Sequence, residues 1–138
     1  MSGSNILGDE KLERAVEIFA AVHFLIMGFS HVIHPRTWVE FFIWLRERGH
    51  VGVFVHGFIS LGFGSIIVAF HNVWSGLPIV LTIVGWAYIL KAVLCFILPD
   101  TQMRTLRRIS VERAWEFVIP GMIFILLGGL LIYEIWRS

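Results

Sequence analysis

A chain of 138 residues that is 57% hydrophobic and 15% charged, with a mean hydropathy of +0.81, is too apolar for a soluble domain. Its net charge of +1 offers no basic surface to nucleic-acid phosphate, and its one cysteine excludes an internal disulfide. The composition is that of a polytopic membrane protein and excludes a soluble enzyme or a disordered tail.

A hydrocarbon core about 30 Å thick requires roughly 20 apolar residues in helical form. Four segments have that length: Ala15–Ile33, Val51–Phe70, Leu77–Leu98 and Ala114–Ile135. Backbone groups in lipid must pair within their own segment, so these spans are helices. Asp9 is placed to cap the first, with Glu10 and Glu13 near its positive end. Acidic residues before this span, and no small-residue cleavage site after it, argue against a cleaved signal. His34-Pro35 closes the span, because proline disfavours a helical residue before it. Thr37–Arg48 then sets Trp38, Phe41, Phe42 and Leu45 at helical spacing, the pattern of a short amphipathic helix lying in the membrane interface.

The second span contains no Asp, Glu, Lys or Arg. A polar turn from His71 to Pro78 follows, and Pro78 suits the first turn of the third helix. Pro99 stops that helix. The basic stretch beyond it puts Met103, Leu106 and Ile109 on one side, for contact with anionic headgroups, and Ser110 is the expected cap of the fourth span. Trp38, Trp44, Trp74, Trp115 and Trp136 lie near span ends, as an aromatic belt requires, whereas Trp86 lies deep in the third span. The predicted fold is a single all-α membrane domain: four transmembrane helices as two antiparallel hairpins, with short interfacial helices in loops 1 and 3.

Loops 1 and 3 carry Arg36, Arg46, Arg48, Arg104, Arg107, Arg108 and Arg113, against Lys11, Arg14 and Arg137 on the other side. The positive-inside rule places those loops in the cytoplasm and both termini outside. A weak internal repeat runs at an offset of 64. It pairs Ile33 with Ile97, Pro35 with Pro99, Thr37 with Thr101, Gly57 with Gly121, Ile59 with Ile123 and Gly64 with Gly128. Each half then reads as a helix, a proline stop, an interfacial segment and a returning helix, an arrangement that occurs in transporters.

Ionisable groups inside a span cost on the order of 2.5–3.5 kcal/mol at its centre, so each requires a reason. On the first helix Glu13, Glu17, His23, Met27, His31 and His34 share one polar stripe. On the second, His56, Ser60 and Gly64 align at four-residue spacing; on the third, Tyr88, Lys91 and Cys95 share a side. In a sequential bundle His31, His56, Cys95 and Glu116 fall in one layer and form a candidate metal set, since His, Cys and Glu are transition-metal ligands. Lys91 and Glu116 form a candidate ion pair that would set helix register. His23, His31 and His56 are candidate axial ligands for a haem or pigment, although no cofactor is specified by any motif.

The stretch Gly52–Pro99 resembles a set of small bacterial inner-membrane proteins of about four spans. The resemblance rests on His71-Asn72-Val73-Trp74, Thr82, Gly85-Trp86, Lys91 and Pro99. It implies an inner-membrane location and helical hairpins, and gives the outer turn and Lys91 a part in the fold, with His71 and Asn72 capping open carbonyls. No reaction follows from it.

No nucleophile–base pair, phosphate loop, HExxH or CxxC motif occurs, so no enzyme is expected. Three functions follow. The first is a non-catalytic subunit packed, with membrane lipid, against a larger membrane complex. The second is a small oligomeric conductor of protons or metal cations along the Glu17–His23–His31–His34 stripe, closed by Lys91 and Glu116. The third is a haem- or pigment-binding redox subunit.

Overall fold

The computed structural model describes residues 2–138, with side chains from Ile6 onward. In chain order it forms α1 Ser2–Ile33, α2 Pro35–Glu47, α3 His50–Phe70, α4 Ile79–Ile97, α5 Pro99–Arg107, a 3₁₀ segment Val111–Phe117 and α6 Val118–Arg137. No strand occurs among the described residues. Four stretches, Ile6–Ile33, His50–Phe70, Ile79–Ile97 and Val111–Arg137, are long and apolar enough to cross a membrane, which makes this a multi-pass membrane protein.

Two expected helix starts differ. Asp9 lies inside α1 and caps nothing, because the residues before it contain no proline and the helix runs back to Ser2. Ser110 does stand, extended, before the last span, but its hydroxyl caps no backbone N–H; the chain enters as a 3₁₀ turn broken at Arg113 (φ −102°, ψ 20°).

The two proline breaks are nearly identical. His34 (φ −124°, ψ 51°) and Leu98 (φ −125°, ψ 58°) precede Pro35 and Pro99, and each proline opens a short helix at its first position. The likeness extends to packing. α3 packs along α4 across the polar turn, whereas α1 packs along α6 rather than along its chain neighbour α3, so the spans do not form two consecutive hairpins. Small residues are the reason, since helices in lipid associate where backbones can approach. A Cβ on Gly121 would lie 2.8 Å from His31 Cβ, and one on Gly57 would lie 2.8 Å from Cys95 Cβ. Likewise Gly128 faces the carbonyl of Ala21 and the side chain of Leu25, as Gly64 faces the carbonyl of Gly85 and the side chain of Ile89. Every one of these pairs maps onto its counterpart under the offset of 64. The α6–α1 and α3–α4 contacts are thus one contact made twice, and the halves of the chain are structural repeats.

The apolar faces of the connecting helices turn inward. Val39 and Leu45 of α2 and Met103 and Leu106 of α5 are buried, the latter two in a cluster with Val53 and Cys95. The stripes expected to lie on lipid therefore pack on the end of the bundle, where Arg46 Nη1 donates to the carbonyl of Ile109 at 3.0 Å. At the opposite end His71 is fully buried: its Nε2 donates to Glu17 Oε1 at 3.1 Å and its Nδ1 lies 3.3 Å from Thr82 Oγ1. Thr82 Oγ1 in turn donates to the carbonyl of Val73 at 2.7 Å. The turn is thus capped by Thr82 rather than by His71 or Asn72, and Asn72 Oδ1 instead accepts from Trp74 Nε1 at 2.9 Å.

Candidate functional site

Two tightly packed pairs, α1 with α6 and α3 with α4, leave space between them toward the end covered by α2. A cavity of about 360 Å³ lies there. Its walls alternate between the repeats: Met27 of α1 faces it where Lys91 of α4 does, Pro120 where His56 does, and Phe124 where Ser60 does. At these three pairs of equivalent positions the α3–α4 pair presents Lys91, His56 and Ser60 and the α1–α6 pair Met27, Pro120 and Phe124.

The aromatic groups are held at defined angles. The His31 ring stacks on Trp38 at 4.0 Å and 14°, and Trp38 Nε1 donates to Ser30 Oγ at 2.9 Å, which ties α2 to α1. His31 Nδ1 donates to the carbonyl of Met27 at 2.7 Å, which leaves Nε2 of that ring for the cavity. His23 stacks on Phe63 at 4.2 Å, His56 meets the edge of Phe42 at 5.2 Å, and Phe63 meets Tyr88 edge-on at 5.1 Å.

The polar groups have no such settlement. Ser60 is 1% exposed and its Oγ has no hydrogen-bond partner among the described residues. Tyr88, Lys91, His56 and His23 also line the cavity, with no side-chain hydrogen bond or ion pair among the described residues. A smaller space of about 180 Å³, lined by Gln102 and Thr105 of α5, adjoins the first at Phe42, His56 and Lys91.

Of the residues selected from sequence, His23, His31, His56 and Lys91 do come together. Four others do not. Cys95, the repeat counterpart of His31, lies at the α3–α4 contact beneath Gly57, packed with Val53, Met103 and Leu106. Glu116 accepts from Arg113 Nε at 2.7 Å and forms no pair with Lys91. No group of three His, Cys, Asp or Glu able to hold a metal occurs among the described residues, so His31, His56, Cys95 and Glu116 are not an assembled metal set. Glu17 is engaged with His71 at the far end and His34 is exposed at the α1–α2 break, so the stripe of α1 is divided.

The aromatic wall was not apparent as part of a site: Trp38, Phe41 and Phe42 read as an interfacial helix and Trp38 as a belt residue. Cys95, fully buried, is expected to resist maleimide labelling in native membranes and to react fully after denaturation; rapid native labelling would remove it from that contact. Comparison with family models, curated proteins and solved structures gives no match to this chain.

Proposed function

We propose that this protein binds a lipid-soluble small molecule in the cavity between its repeats, without catalysing a reaction. The observation that carries the proposal is the buried Ser60 hydroxyl, which has no hydrogen-bond partner among the described residues, standing with His56, Lys91, Tyr88 and His23 on one aromatic-walled space. Buried polar groups are nearly always hydrogen-bonded, and ligand sites are apolar cavities with a few convergent polar groups. The cavity volume falls in the range of small-molecule sites, about 300–1,000 Å³.

The proposed setting is the bacterial inner membrane, with both termini outside and α2 and α5 at the cytoplasmic face. The arginine-rich loops around α2 and α5 support that orientation. Assembly with other membrane subunits, or as a homo-oligomer, is compatible with this function and would use the outward faces of the spans. Conduction along α1 has less support, because Glu17 and His34 lie outside the cavity. A haem or pigment held by His23, His31 or His56 would be one coloured form of the ligand, and the absorption spectrum of purified protein tests for it.

The test is identification by mass spectrometry of small molecules that co-purify in mild detergent. Ser60→Ala removes the unpaired hydroxyl without adding bulk and is expected to lower the retained compound about tenfold, equivalent to about 1.4 kcal/mol, with the unfolding midpoint preserved. Equal retention by the variant would overturn the proposal.

A further inference from the structure

Resting on the reading of this cavity as a ligand site, we infer that its ligand is a lipid-soluble 1,4-dione of the quinone class. The polar groups stand in two layers. His56 and Lys91 each lie six residues from the helix ends at His50 and Ile97, while Ser60, Tyr88 and His23 lie nine or ten residues from the ends of their own helices. At 1.5 Å per residue these layers are about 4.5–6 Å apart along the bundle. Two carbonyl oxygens across a six-membered ring are separated by about 5 Å, the ring width plus two C=O bonds of about 1.2 Å each. One oxygen accepts from Lys91 in the shallow layer, and the other from Tyr88 with the Ser60 hydroxyl beside it in the deep layer.

The walls fit a planar ring. The His31 and Trp38 rings are within 14° of parallel, and Phe117 lies within 13° of the same plane orientation. His31 and Trp38 cover each other at 4.0 Å, and the further aromatic groups of the lining, Phe41, Phe42, Phe63 and Phe124, give a ring offset or edge-on contact. A carboxylate on an alkyl chain would match Lys91 alone and leave the deeper donors unpaired, buried in an apolar surround at a cost. The smaller adjoining space opens from Lys91 and His56 toward Gln102 and Thr105, so the shallow oxygen is the one nearer the polar connecting helix.

The experiment uses full-length protein in lipid nanodiscs with three probes: a decyl-substituted 1,4-benzoquinone, decylbenzene and oleate. Bound probe is measured after gel filtration. The benzoquinone is expected to bind saturably, one per chain, and at least tenfold more tightly than decylbenzene. Lys91→Met and Tyr88→Phe are each expected to weaken it about tenfold and leave decylbenzene unaffected. If Lys91→Met fails to fold, as judged by its melting curve, Tyr88→Phe decides. Binding of oleate or decylbenzene in place of the benzoquinone, or benzoquinone binding indifferent to a folded variant, would overturn the quinone assignment while leaving the ligand site standing. If no probe binds and no compound co-purifies, both fall.

Discussion

Replacement of Glu17 by alanine is expected to lower stability by about 2–3 kcal/mol, the cost of leaving a buried hydrogen-bonding group without its partner. The side chains of His71 and Glu17 are 0% and 13% exposed, and their contact joins α1 to the turn between α3 and α4. With Glu17 gone, His71 keeps only Thr82, and its Nε2 is left buried without a partner. The pairs α1–α6 and α3–α4 then lose a polar tie at the end away from α2. Glu17→Gln retains an acceptor oxygen and is expected to cost less, about 1–2 kcal/mol. Because the two residues act through one contact, the double substitution Glu17→Ala with His71→Ala is expected to cost much less than the sum of the single ones. Unfolding in denaturing detergent, followed by helicity, measures all three; a Glu17→Ala midpoint equal to the parent's would refute the role of the pair.

The second large effect is expected at Gly52. A Cβ there would lie 1.8 Å from the carbonyl oxygen and 2.6 Å from the carbonyl carbon of Leu45, both backbone atoms of α2. No rotamer change relieves such a contact, so Gly52→Val must push α2 away from α3 and uncover Leu45. Overpacking of this kind costs about 1–3 kcal/mol where side chains can yield, and more where only backbone can move, so about 3 kcal/mol or more is expected. The cavity suffers as well, because α2 carries Trp38, Phe41 and Phe42 into its wall. Ligand retention is therefore expected to fall together with stability. Gly62, in the same helix, meets nothing within 4 Å, and Gly62→Ala is expected to be neutral or to stabilise by up to about 1 kcal/mol through helix propensity. Parallel melting of the two variants separates the contact from a general intolerance of α3 to side chains; a Gly52→Val protein as stable as Gly62→Ala would contradict the packing.

The duplication connects these effects to the candidate site. Equivalent positions in the two halves make the same helix contacts, as Gly57 with Cys95 and Gly121 with His31 do. At the cavity the equivalence is broken in chemistry only, where Lys91, His56 and Ser60 stand opposite Met27, Pro120 and Phe124. At these positions the α3–α4 pair carries hydrogen-bonding groups and the α1–α6 pair apolar bulk, while His23 and His31 of α1 add imidazoles to the second pair.

Local chemistry made much of this legible from the residues alone. Four apolar stretches must be helices because lipid offers their backbone no partner, and Pro35 and Pro99 must break them because proline restricts the residue before it. The repeat was visible too, since identical breaks leave identical residues at a constant offset. The presence of His23, His31, His56 and Lys91 in spans marked them as needing a shared environment. Which residues shared it was decided only by packing. Hydropathy is the same for a helix whatever neighbour it meets, so nothing in the chain order showed that α1 would pair with α6. That pairing sends Glu17 to His71 and leaves Glu116 with Arg113. Likewise an amphipathic segment reads alike whether its apolar face meets lipid or protein; the close approach at Gly52 and the hydrogen bond from Trp38 to Ser30 turned α2 inward and made its aromatic rings the wall of a cavity.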